Sequence, residues 1–204
     1  MAASRVVRVR SVFPHSQGGR PRWWVTLCCA GGLVAVGAAV GACNHGTTNV
    51  SANTLLEEGL AAQHKGNLDL AKSDYKAAIA KDPNNAYAYY DLGTIYQQEK
   101  DVTGAANNYR RTLALDPNFP QAIYNLAVLE APTNPSQAIT LYEQDLRIEP
   151  SNASANFNLG VLLIQQGQIA VGDSYLETGL RLNPALSADV PPGISVPSTT
   201  TPKG

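Results

Sequence analysis

Four prolines, at 83, 117, 150 and 184, close the runs "AKDPN", "LALDPN", "RIEPSN" and "RLNPAL", and they stand 34, 33 and 34 residues apart. Self-similarity at a fixed period of this length marks a stack of small like units rather than one core wrapped by the whole chain. Each unit in such a stack buries its apolar face only against its neighbours, so the chain reads as a row of similar pieces from 52 to 186.

Cutting at the prolines places repeats at about 52–85, 86–119, 120–152 and 153–186. In the second, Tyr89, Leu92, Gly93 and Tyr96 recur at helical spacing, "QQEKDVTG" interrupts them, and Ala105, Tyr109 and Thr112 then share one face. The pattern predicts a helix, a turn and a second helix. The Asp-Pro step stops the second helix because proline disfavours helical backbone in the residue before it. The third repeat is one residue short and contains "EAPTNPSQA" (130–138), which predicts a first helix ending by Ala131 and a second opening at Pro135 behind an Asn134 cap. In the fourth, Gly172 and Gly179 fall inside the second helix, each costing about 1 kcal/mol against alanine. No further amphipathic helix follows to cover its outer face, so fraying is expected there. Residues 187–204, rich in Pro, Ser and Thr without period, are read as a disordered tail.

The series Tyr89, Leu92, Gly93, Tyr96, Ala105, Tyr109, Thr112 and Pro117 resembles the tetratricopeptide repeat. So do Leu55, Gly59, Ala71, Tyr75, Ala78 and Pro83 in the first repeat, Leu126, Ala127, Ala138, Tyr142 and Pro150 in the third, and Leu159, Gly160, Leu176 and Pro184 in the fourth. The resemblance implies an all-α fold, a right-handed superhelix of about four helix pairs. It also implies that the first helices line a concave groove that binds a protein or peptide.

The ends of the chain differ in charge. Residues 1–50 carry five arginines and no acid, which leaves ten of the 15 Lys and Arg, and all 16 Asp and Glu, to the remainder. An acidic body argues against a nucleic-acid partner, because phosphate binding needs a basic footprint. Cys28, Cys29 and Cys43 all precede the repeats, so the repeats hold neither disulfides nor thiolate metal ligands. Between a basic segment (1–22) and a linker (44–51), "WWVTLCCAGGLVAVGAAVGAC" (23–43) is 21 residues without charge. It predicts a membrane segment, with the positive side inside and the repeats extracytoplasmic. Two readings are open. As an uncleaved spanning helix it offers a Gly37/Gly41 pair at GxxxG spacing. As a signal it ends in "VGAC" (40–43), which resembles the bacterial lipobox and makes Cys43 the lipidation candidate.

Catalysis finds no inventory: there is no phosphate-cradling glycine loop, no His-Glu-x-x-His and no nucleophile elbow. No enzyme activity, cofactor, metal or small-molecule substrate is expected. The informative feature is a second stripe on each first helix, distinct from the packing stripe. It comprises Glu57 in repeat one; Tyr87, Tyr90, Asp91 and Thr94 in repeat two; Tyr124, Asn125 and Val128 in repeat three; and Phe157, Asn158 and Val161 in repeat four. Aromatics supply contact area at little entropic cost, and Asn carries both a donor and an acceptor for an extended backbone. With Glu57 and Asp91 and no Lys or Arg, this stripe favours a neutral or basic partner segment. The leading expectation is a membrane-anchored extracytoplasmic scaffold. The alternatives are a self-associating envelope component that forms homo-oligomers through the uncapped fourth repeat or the N-terminal apolar helix, or the recognition subunit of a separate enzyme.

Overall fold

The structure, a computed structural model, describes residues 50–196. The basic segment, the apolar segment 23–43 with Cys43, nearly all of the linker, and residues 197–204 lie outside them. The described residues form eight α-helices and a 3-10 turn, with no strand: α1 Ala52–His64, α2 Leu68–Lys81, α3 Ala86–Gln98, α4 Val102–Leu115, α5 Pro120–Glu130, α6 Pro135–Ile148, α7 Ala153–Gln165, α8 Ile169–Leu182, and Pro184–Asp189. No helix among them is long and apolar enough to cross a membrane. Successive helices pair as α1/α2, α3/α4, α5/α6 and α7/α8, and each pair packs on the next.

The boundaries follow from local chemistry. Ser51, Asn67, Asn85, Asp101 and Asn152 each place a side-chain oxygen on a free N–H of the first turn, satisfying donors that have no partner inside the helix. At the other end, Asp82 and Asp116 take up extended backbone before proline, and each carboxylate accepts from the N–H two residues on, Asn84 and Asn118, at 3.0 Å. Asn183 does the same for Ala185 at 3.2 Å. The recurring proline is thus one half of a device, and the Asx turn beside it is the other.

Turns inside the pairs need one residue in the left-handed region. Gly66 (φ 77°) and Gly167 (φ 80°) supply it, and Lys100 takes the same place at φ 65°. The shortened third repeat turns differently: α5 ends at Glu130 and α6 opens at Pro135, as expected. Asn134, however, makes no side-chain cap hydrogen bond, which corrects that part of the reading. Its backbone N–H instead bonds the Glu130 carbonyl at 2.7 Å.

Small residues on one helix face a large ring on the next. Ala71, Tyr75 and Ala78 from α2, Ala105, Tyr109 and Thr112 from α4, and Ala138, Tyr142 and Asp145 from α6 are all buried. The fourth repeat is not the frayed end the sequence suggested. Leu186 in the 3-10 turn is buried with Phe157, Val161, Leu176 and Leu180, and Val190 and Ile194 pack on the same cluster. The chain beyond 186 therefore covers the outer face of the last pair for at least eight residues more.

A candidate peptide-binding face

Side-chain contacts link the first helices directly. Gln63 on α1 donates to Thr94 on α3 at 3.3 Å. Tyr87 and Tyr90 on α3 set their rings 5.2 and 4.9 Å from Phe119, at the mouth of α5. Asn158 on α7 donates to the Tyr124 hydroxyl on α5 at 3.1 Å. Helices α1, α3, α5 and α7 consequently stand side by side as one wall. Most of the predicted stripe lies on that wall: Tyr87, Tyr90, Asp91, Thr94, Tyr124, Asn125, Val128 and Asn158 are partly or largely accessible, and Glu57 is exposed. Phe157 and Val161 do not line it. They are buried under Leu186, Val190 and Ile194, because in the last repeat their face meets the returning chain where earlier repeats meet the next first helix.

The floor of the wall is a hydrogen-bonded network that the stripe pattern did not reveal. Tyr75 donates to Gln63 Oε1 at 2.7 Å and Tyr109 donates to Gln97 Oε1 at 2.6 Å. Each pair joins the two helices of one repeat at a separation of 12 residues. Asn125 donates to the Tyr109 hydroxyl at 3.4 Å. Asn125 also interacts with the Tyr90 hydroxyl and Asn158 with that of Tyr142, so both side-chain amides are engaged inside the protein. Burial raises the phenols of Tyr75, Tyr90, Tyr109 and Tyr124 above their ordinary value, so they act as neutral donors and acceptors. Burial likewise pushes the Asp91 carboxyl up to about 7.

Phe119 was also missed. It carries the ring against which both tyrosines lean, yet it sits between an Asx turn and Pro120 with no helical period to expose it. The one clue was a large apolar residue immediately before a helix. Among the described residues no cluster of three or more His, Cys, Asp or Glu could hold a metal ion.

Comparison with known proteins agrees with the fold. Tetratricopeptide-repeat family models match residues 56–119 and 153–186. No curated protein matches the sequence. Among solved structures, MamA is 23% identical with a TM-score of 0.60, over 69% of this chain and 77% of that one. YrrB, described as a tetratricopeptide protein with an unusual peptide-binding site, is 17% identical with a TM-score of 0.64, over 70% of this chain and 74% of that one. The first such domain of Spaghetti (RPAP3), bound to the HSP90 peptide SRMEEVD, is 23% identical with a TM-score of 0.54, over 57% of this chain and 94% of that one. The chain carries tetratricopeptide repeats, and the third, unmatched by the family models, completes the array in the structure.

Proposed function

We propose that the protein is a non-catalytic, membrane-tethered scaffold that holds an extended segment of a partner protein against the wall formed by α1, α3, α5 and α7. The observation that carries this reading is the wall itself. A strip of tyrosine, asparagine and threonine crosses three repeats, with Tyr87 63% exposed and Tyr90 and Tyr124 partly accessible, and tyrosine so placed usually serves recognition. Peptide binding by YrrB and by the RPAP3 domain supports the reading by likeness of fold. The bound RPAP3 peptide is acidic, whereas this wall presents Glu57 and Asp91, so a neutral or basic segment suits it better. Tethering rests on residues 23–43 alone, through a spanning helix or a lipid on Cys43, with the repeats on the extracytoplasmic side.

The test is a screen of the detergent-solubilised full chain against a library of extended peptides, beside Tyr87→Ala and Tyr124→Ala variants shown to be folded by circular dichroism. Peptides kept by the wild type and lost from both variants are expected. Binding indifferent to both substitutions, or no binding at all, refutes the wall as the site.

A further inference from the structure

We infer that Asp91 is the receptor for a lysine or arginine side chain of the bound segment, a specificity point fixed between α1, α3 and α5. This deepens the proposed function and rests on it. The argument starts from where the neighbouring donors go. The Tyr75 proton is given to Gln63 and the Tyr109 proton to Gln97. The Gln63 amide donates to Thr94, whose hydroxyl donates to Asp91's own backbone carbonyl at 2.7 Å. Asn125 donates to Tyr109. Among the described residues no group donates to the Asp91 carboxylate, and neither ion pair, Lys72–Glu99 or Arg110–Glu130, includes it.

Asp91 is half-buried and its oxygens are not closed off from solvent, so its charge is left for water or a bound cation to pair. Its elevated proton affinity has burial as the one cause, with no compensating cation. The surroundings select for positive charge. Helices α1, α3, α5 and α7 contain no Lys or Arg, and every Lys and Arg of residues 50–196 lies on a second helix or a turn. Glu57 occupies the matching place one repeat earlier, and the partly accessible ring of Tyr90, which feels the Asp91 charge, is placed to pack on an alkyl chain and its charged end. At the same place in the next two repeats the chain has Asn125 and Asn158, which spend a donor inside the protein. Asp91 in that place has only acceptors to offer.

The probe is a lysine-bearing peptide recovered from the library, paired with a copy in which norleucine replaces the lysine, so that only the ammonium is lost. Binding is measured by fluorescence anisotropy at pH 8, where the carboxyl is ionised, on wild type, Asp91→Asn and Glu57→Gln. Asp91→Asn introduces the residue that the next two repeats already carry, which protects the fold. The wild type should prefer the lysine peptide by about tenfold, the scale of one charge-assisted hydrogen bond. Asp91→Asn should erase that preference while binding the norleucine copy as before, and Glu57→Gln should retain most of it. Equal binding of both peptides by the wild type, or a preference that survives Asp91→Asn, overturns the assignment. So does a library that yields bound peptides with no enrichment in Lys or Arg, and in each of these cases the wall stands. A library that yields nothing overturns the wall and this assignment together.

Discussion

Repeats 1 and 2 hold their two helices apart with a tyrosine ring, whereas in repeat 4 the two helices meet backbone to backbone. A Cβ on Gly59 or Gly93 would lie 2.6 or 2.8 Å from the ring of Tyr75 or Tyr109, so glycine there makes room for an aromatic. A Cβ on Gly160 would instead lie 2.5 Å from the Leu176 backbone nitrogen and 2.8 Å from the Gly172 carbonyl. Gly179 stands in the same relation to the Phe157 backbone, at 2.7 Å. The same slot is thus filled in two ways, with different consequences for the wall. A tyrosine delivers a hydroxyl to its floor and builds the network around Gln63, Gln97 and Asn125. The glycine-lined pair has no tyrosine in that slot and ends under Leu186. The tyrosine-filled slots lie in repeats 1 and 2, and the backbone-to-backbone contact in repeat 4.

Substituting alanine at the two kinds of glycine should separate them most sharply. Alanine gains about 1 kcal/mol of helix propensity over glycine wherever it fits. In Gly93→Ala the Tyr109 ring has only to shift, as repeat 3 shows by placing Ala127 in this position with Tyr142 buried opposite. A net loss of about 1 kcal/mol is expected. In Gly160→Ala the obstacle is main chain, so α7 and α8 must separate along their length. About 3 kcal/mol should be lost, at the upper end of overpacking costs. Urea unfolding, with amide exchange to locate the damage, reads both. Equal losses would show that the backbone contact does not hold the fourth pair.

The glycines also mark where sequence reading stopped. Helix boundaries were legible because their causes are local: proline, an Asx turn and an Asn or Asp cap all lie within four residues of the end they set. The stripe carrying Tyr87, Tyr90 and Asp91 was legible from helical spacing. Gly172 and Gly179 were misjudged because propensity values a residue alone, and their worth lies in contacts with the preceding helix, α7. Phe119, Gln63 and the Leu186 closure rest on contacts between elements, which leave no period in the chain.

A second contrast concerns one place on the second helices, where Ala78, Thr112, Asp145 and Gly179 correspond. Asp145 is fully buried. Its Oδ2 accepts from Asn152 at 2.7 Å, and its Oδ1 has no partner among the described residues. Burial, with a lesser contribution from Glu149, pushes it up to about 7. The folded state therefore binds this proton more tightly than the unfolded chain, for which the ordinary value is about 3.9. Its contribution to stability is full below about pH 4 and is lost as pH rises through 7. Asp145→Ala should thus gain about 2 kcal/mol at pH 8, and nothing at pH 4, where the protonated acid is tolerated. Thermal denaturation across pH 4–8 measures it. A variant no more stable than wild type at pH 8 would mean that Oδ1 is solvated after all.

The smallest effect tests whether the tyrosine hydroxyl, rather than its ring, distinguishes the tyrosine-filled repeats. Tyr109→Phe keeps the ring that fills the slot under Gly93 and removes only the oxygen that donates to Gln97 and accepts from Asn125. Gln97 is partly accessible, so water can replace the lost donor, and the expected loss is about 1 kcal/mol. The consequence for the wall is more specific than that figure. Asn125 loses one of its two tyrosine partners and keeps Tyr90, so its side-chain amide resonances should move while those of Asn158, anchored on Tyr124, stay in place. If both move together, the floor behaves as a single unit running through repeats 2 to 4. If neither moves, the hydroxyl does not hold Asn125, and the polar floor is a by-product of packing rather than a feature that sets the repeats apart.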